Sequence, residues 1–462
     1  MQSLNKKYGL FTAICMVVGI VIGSGIFFKA PGVIEKAGGN AVFSILAWLI
    51  SGLIMVVIAT SFGVMATKYE KMNGVVDYAE ATCGKTYAYF VGWFLALIYY
   101  PSMTSVLAWV SARYTLVVVL GHDGKMFSAE CITIALLYLV LAYFLNTVAP
   151  KVAGKFQISS TAIKLVPITF IAIVGTVIGL VNGTLGANFN TALNSVNTSG
   201  GVGLFPAICS TIFAYEGWIV ATAINSEIKD SKKNLPIALC LGTFIIVAAY
   251  TLYNIGILGL ARIGDLAGGT YAAFSFFGPA MASVINVFVV ISCLGTLNGL
   301  MLGCSRGIYT LSARREGLYP ELFAEVDKKT NIPHNSSSFA LLVSAVWFVY
   351  FIFSSLGVFG EYGFDSSELP IVTVYPLYLP ILVIMMIREK DVHPFKRFVL
   401  PSLSIVGIGV IVYASIASHG LKNVWYLMVF FAIMILGYLV LLSNRKKERN
   451  SSFTEENAEN VN

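Results

Sequence analysis

VVGIVIGSGIFF, Val17 to Phe28, is the stretch on which the fold of this chain turns. It lies inside an apolar run, residues 9–34, long enough to cross a bilayer, which takes about 20 helical residues. Gly23-Ser24-Gly25 interrupts the run near its centre. In hydrocarbon, irregular backbone is tolerated only where protein buries it or where it lines a polar cavity. Glycine breaks a helix without steric penalty, so the span can stop here and restart. The restarted half would aim free N–H groups and its positive dipole end into the membrane interior, a setting that suits a carboxylate. The competing reading is close helix packing, which uses small residues at the same spacing.

The rest of the chain agrees with a membrane setting. Of 462 residues, 57% are hydrophobic and 11% charged, against roughly 25% charged in a soluble domain. Mean hydropathy is +0.80. Twelve apolar runs satisfy the length rule: 9–34, 40–66, 86–118, 128–146, 156–181, 202–226, 235–262, 279–312, 336–355, 366–387, 397–417 and 423–443. The third is too long for one upright span and is expected to tilt or extend past the membrane. With the N-terminus cytoplasmic, most Lys and Arg fall inside, and only Lys29, Lys36, Arg113, Lys125, Arg262 and Lys422 fall outside. That bias places both termini in the cytoplasm. The net charge of +7 therefore reads as topology and gives no sign of nucleic-acid binding.

The first apolar run passes well beyond a signal-peptide h-region without a cleavage site, so no cleaved leader is expected. Seven cysteines without CxxC spacing predict no disulfide framework. His122, His334, His393 and His419 fall in loops or at span edges, so neither a metal site nor a cofactor is expected. Residues 67–85 read as an amphipathic segment along the inner surface, either a gate element or a plain connector. Residues 444–462 read as a disordered cytoplasmic tail, and 1–8 as a short cytoplasmic N-terminus.

A second break matches the first. "FTAICMVVGIVIG" from Phe11 is echoed by "FPAICSTIFAYEG" from Phe205, so that Phe11, Ala13, Ile14, Cys15 and Gly23 align at one offset with Phe205, Ala207, Ile208, Cys209 and Gly217. The same offset carries the starts of spans two and three close to those of seven and eight. Halves five spans apart must sit in opposite orientations, the inverted-repeat plan of many secondary transporters. Within the second half, Phe213-Ala214-Tyr215-Glu216-Gly217-Trp218 interrupts the sixth span at the corresponding place, which points to a binding site near the membrane midplane.

"IGSGIF" in the first span, "FAYEGW" in the sixth, "SEIKDSKKNLPIAL" after it and "CLGTLNGLMLGCSRGIY" in the eighth resemble the amino acid–polyamine–organocation superfamily, and within it bacterial members of the L-amino acid transporter family. The resemblance covers roughly the first ten spans. It implies an all-α polytopic protein with twelve transmembrane helices in a LeuT-type 5+5 inverted repeat. Residues 9–181 would form the first repeat and 202–387 the second, helices 1 and 6 would be discontinuous, and 397–443 would form two peripheral helices. It also implies a substrate site. The carboxylate would meet backbone N–H groups at Ser24, Gly25 and Ile26 beside Gly23, and the α-ammonium the carbonyls of Val21, Phe213, Ala214 and Glu216 beside Gly217. Phe213 would be a lid over the substrate or, alternatively, an ordinary core aromatic. Trp218 is expected to pack. The Glu216 side chain is expected to hydrogen-bond within the broken segment, and Ile219 implies a small, weakly polar pocket.

Lys164, in "TAIKLVP", stands alone inside the fifth span. A charge at that depth costs on the order of 2.5–3.5 kcal/mol on insertion scales, which something should repay. Snorkelling is the plainer reading, but the cytoplasmic edge lies about nine residues away, roughly 13 Å. In the resembled family such a lysine replaces a sodium ion and ties span one to span eight. Here it would reach carbonyls near Gly19 and Ile22 and the hydroxyls of Ser292 and Thr296, which share a helical face.

A channel would show a polar stripe or charged rings, and a membrane enzyme a nucleophile–base pair or metal cluster; neither is legible. The expectation is a sodium-independent exchanger of small neutral L-amino acids such as alanine, serine and cysteine. A proton-coupled symporter and an amino acid receptor with a transporter fold are the alternatives. Eukaryotic members of the family pair with a heavy subunit through a cysteine before the fourth span. The loop here, "GHDGKMFSAE", has none before Cys131, so a carrier acting alone in a bacterial-type plasma membrane is expected.

Overall fold

Uninterrupted apolar runs, having no other way to satisfy their backbone in lipid, form single long helices. The computed structural model describes residues 9–23, 25–69, 74–120, 126–194, 202–218, 228–268, 271–327 and 332–459, and among them the chain is all-helical, with no strand. Nine of its helices are long and apolar enough to cross a membrane: α3 (Ala41–Lys68), α5 (Lys85–Leu120), α6 (Ala129–Val148), α11 (Ser231–Leu260), α12 (Pro279–Ala313), α13 (His334–Ser355), α14 (Leu369–Arg388), α15 (Phe395–His419) and α16, which begins at Lys422. A tenth candidate is the pair α8 (Leu165–Val181) and α9 (Thr184–Asn194), bent by 83° at their junction. Asn40 starts α3 by accepting the Phe43 N–H (3.0 Å), and Ser128 starts α6 by accepting that of Cys131 (3.3 Å).

The predicted spans missing from the nine are the first, fifth and sixth. Each is interrupted. The first is split into α1 (Leu10–Val21) and α2 (Gly25–Lys36), and the sixth is represented by α10 (Leu204–Tyr215). The fifth runs as α7 (Pro150–Ile163) into α8 through Lys164. Pro167, which has no N–H to donate to Ile163, loosens that junction. The long third span is one continuous 36-residue helix.

The most extensive helix contacts join α3 to α11 and α5 to α12, with α10 on α2 and α1 on α11 close behind. These are spans two with seven, three with eight, six with one, and one with seven; the first three pairs join spans that correspond under the offset of the internal echo, and the fourth does not.

One expectation needs correction. The connector after α3 does not lie along a surface: α4 (Val75–Cys83) buries Val75, Asp77, Tyr78 and Ala79, and Arg314 at the end of α12 pairs with its Asp77 (2.9 Å) and Glu80 (3.3 Å). Past the predicted twelfth span, α16 continues as helix to Glu459. Its Lys, Arg and Glu residues are good helix formers that extend a helix already nucleated in the bundle. The first tail residues are also tied down, Asn444 to the Gly317 carbonyl (2.8 Å) and Arg445 to Thr86 (2.8 Å). All seven cysteines are free.

Candidate functional site

The first break falls where the opening stretch puts it. The last bond of α1 runs from the Ile22 N–H to the Val18 carbonyl (2.8 Å), and Ile22 turns extended (φ −65°, ψ 108°). Helix resumes at Gly25. In the second half, α10 stops at Tyr215, Glu216 is extended (φ −75°, ψ 156°), and Gly217 takes φ +109°, a conformation open to glycine at little cost. Ile22 and Glu216 correspond under the offset of the internal echo, so the two halves break at the same position. Ser24 and Ile219 lie outside the described residues.

The breaks also meet in space. A Cβ added to Gly25 would lie 2.6 Å from the Cα of Ala214, so the first residue of α2 rests on the last turn of α10. A Cβ on Gly23 would lie 2.6 Å from Thr296 Oγ1, which seats the break on α12. The carboxyl ends of α1 and α10, with the carbonyls of Val21, Phe213 and Ala214, thus converge on the amino end of α2, with the N–H groups of Gly25 and Ile26. Helix ends carry about half a unit charge of opposite sign at the two termini. Such a junction can hold a positive and a negative group side by side through backbone dipoles alone.

Aromatic rings and one lysine surround it. Phe213 is buried, edge-on to Phe28 of α2 at 5.6 Å, with Lys29 Nζ 5.2 Å from its ring centre. Trp218 packs between Phe62 and Tyr378, as expected. Glu216, 8% exposed, does not confine its side chain to the broken segment. Its Oε2 accepts a hydrogen bond from Tyr375 of α14 (3.2 Å).

Comparison with known proteins adds to this geometry. The family profile described as amino acid permease matches residues 8–440. The chain belongs to the amino acid permease family. It is 28% identical over 402 residues to the serine/threonine exchanger SteT of Bacillus subtilis (strain 168), covering 86% of each chain. It is 26% identical to the cystine/glutamate transporter of Homo sapiens, over 71% of this chain and 65% of that protein. It is 25% identical to b(0,+)-type amino acid transporter 1 of Mus musculus, over 83% of this chain and 81% of that one. These relatives carry the names of transporters and not of enzymes, in line with the expectation of a carrier.

In this permease Lys164 is 1% exposed, and no salt bridge among the described residues includes it. One helical turn before it, Ser160 fills the space a side chain on Gly295 would need, so α7 crosses α12 beside the residue that carries the first break. Gly23 of the first break therefore meets Thr296, and α7 lies against the neighbouring Gly295 one turn before Lys164. Among the described residues, no hydrogen bond joins Lys164 to Ser292 or Thr296. Thr296 Oγ1 donates back to the Ser292 carbonyl (3.1 Å), and Ser292 Oγ has no hydrogen-bond partner. Helical Thr commonly satisfies its hydroxyl on the carbonyl four residues before it.

Sequence reasoning missed two parts of the permease site. Tyr250 of α11 donates to the Val21 carbonyl (3.1 Å), and its ring packs on Trp48 (5.5 Å) and Tyr215 (5.2 Å). Its signal in the sequence is weak, because Tyr250 shares the seventh span with Thr243, Thr251, Tyr253 and Asn254. Tyr250→Phe removes a neutral hydrogen bond worth about 1 kcal/mol, so substrate affinity should fall roughly fivefold. Unchanged affinity in a binding titration would remove Tyr250 from the site. The other omission is Lys29, which is not a solvent-facing topology marker: it is buried and paired with Glu368 at 2.5 Å.

Proposed function

We propose that this permease is a sodium-independent exchanger of small neutral L-amino acids such as alanine, serine and cysteine, working by alternating access. In this reading it has twelve transmembrane helices in a LeuT-type 5+5 inverted repeat, with spans one and six discontinuous and two helices peripheral. It sits in a bacterial-type plasma membrane with both termini cytoplasmic, and acts without a heavy subunit. The substrate carboxylate binds the N–H groups of Ser24, Gly25 and Ile26, and the ammonium binds the carbonyls of Val21, Phe213, Ala214 and Glu216. Phe213 closes over both.

The observation that carries this reading is the contact of Gly25 with Ala214, which brings oppositely polarised helix ends together. The matched position of the two breaks and the packing of equivalent helices on each other support the repeat. Backbone dipoles bind a zwitterion without introducing a fixed charge that would retain it. Lys164 serves the reading as a substitute for sodium, moving onto Ser292, Thr296 and the carbonyls near Gly19 and Ile22 during the cycle.

The test is uptake of labelled alanine and serine into proteoliposomes under three drivers. Internal unlabelled amino acid should accelerate uptake, and a sodium gradient should not. Dependence on sodium would overturn the proposal, and binding without movement of label would make the protein a receptor. One observation favours a second reading, proton-coupled symport: Lys164 is buried with no carboxylate paired to it and could shed its proton in each cycle. Uptake into empty liposomes driven by a proton gradient would replace exchange with that mechanism.

A further inference from the structure

Histidines at span edges and cysteines inside spans gave no metal signal in sequence, yet the fold brings three such donors together. Cys209 of α10, Glu368 in the turn before α14, and His419 at the end of α15 place their ligand atoms within 4.8 Å of one another. Glu368 Oε2 faces His419 Nε2 at 3.0 Å and accepts from Cys209 Sγ at 3.6 Å. Its other oxygen, Oε1, is taken by Lys29 (2.5 Å) and Ser210 (3.1 Å). All three ligand side chains are at least nine-tenths buried.

We infer that Cys209, Glu368 and His419 form a binding site for a divalent metal ion of borderline softness, zinc by preference. Zinc takes thiolate sulfur at about 2.3 Å and imidazole nitrogen or carboxylate oxygen at about 2.0–2.2 Å, which makes the edges of its tetrahedron roughly 3.3–3.6 Å. The two contacts made through Glu368 Oε2, 3.0 and 3.6 Å, bracket those edges, and the Cys209–His419 edge, at most 4.8 Å, closes as the ion is bound. Three protein ligands leave a fourth position for water. Thiolate and imidazole together select against magnesium and calcium, which prefer oxygen.

Charge is consistent with occupancy. Lys29 is joined through Ser367 (3.0 Å) to Asp365, whose Oδ1 accepts from Ser367 (2.6 Å). Lys29, Glu368 and Asp365 leave this pocket with one net negative charge. As the metal binds, the Cys209 S–H gives its proton to solvent and a sulfur–metal bond replaces it. The two charges of the ion then offset the excess carboxylate and the new thiolate, and the pocket becomes neutral.

The ligands span three separate elements, and Lys29 links them to α2 while lying over Phe213. An ion here pins α10 to the mouth of α14 and the end of α15, and holds that side of the junction shut. This consequence rests on the exchanger reading, whereas metal binding does not.

The test is a titration of the purified full-length chain with Co²⁺, whose thiolate complexes show a charge-transfer absorption. One equivalent should develop that band, and Zn²⁺ should displace it. Cys209→Ser should abolish the band although six other cysteines remain, and His419→Ala should weaken binding on the order of 100-fold, judged by the effect of altering metal-site partners. Both variants are first checked for a monodisperse elution profile. No band in the wild type, or an undiminished one in Cys209→Ser, would overturn the site and leave a hydrogen-bonded network in its place. In proteoliposomes, Zn²⁺ should stop most exchange by the wild type and little by Cys209→Ser. Full exchange in the zinc-loaded wild type would overturn the pinning of α10.

Discussion

Gly25→Val is expected to abolish amino acid binding as well as to cost stability. Two effects act together. The new side chain would meet the backbone of Ala214, where a bare Cβ already approaches to 2.6 Å, and it would displace the N–H groups proposed for the carboxylate. Hydrogen bonds to a charged group contribute about 1.5–3 kcal/mol each, so losing two weakens binding by at least ~100-fold. The natural control is Gly407→Val, which drives a side chain into Ile54 (2.8 Å) at the contact of α15 with α3. That variant should be destabilised and still bind. If thermal shift and ligand titration show the two variants losing binding alike, the glycine at the break serves packing only.

Lys164→Met is expected to raise the melting temperature and cut exchange at least tenfold. Removing an amine that has no ion-pair partner recovers part of the roughly 2.5–3.5 kcal/mol that a charge at this depth costs, while the methionine keeps most of the volume. Transport should suffer unequally at the two faces, since the lysine is proposed to join α1 to α12 in only part of the cycle. Lys164→Ala should show the same loss of exchange without the gain in stability, because it leaves a cavity. Exchange at the wild-type rate in both variants, measured from each side of an oriented liposome, would take Lys164 out of the mechanism.

The long helices were legible because each rests on a local property, an apolar run of membrane length with no punctuation. The breaks were legible for the complementary reason. Glycine at 23, 25 and 217 is the chemistry that allows a helix to stop in lipid, and Ile22 and Glu216 do turn extended at matching positions. Non-local partnerships were not legible. Lys29 looked like one more charge at a span edge because its partner, Glu368, lies 339 residues away. The grouping of Cys209, Glu368 and His419 depends on three elements meeting at one end of the bundle, which no spacing in the sequence records. The rotamer of Thr296, whose hydroxyl turns to its own helix, is likewise a detail that no spacing in the sequence records.

At the centre of this account, bare peptide dipoles at two facing helix ends recognise both charged ends of one small molecule. Competition binding to the purified permease with L-alanine, alaninamide and propionate addresses this most directly, because each analogue keeps one charged end and lacks the other. Both analogues should bind at least ~100-fold more weakly than alanine, the cost of leaving charge-assisted hydrogen bonds unmade at one end. Either one binding within a few-fold of alanine would contradict the account.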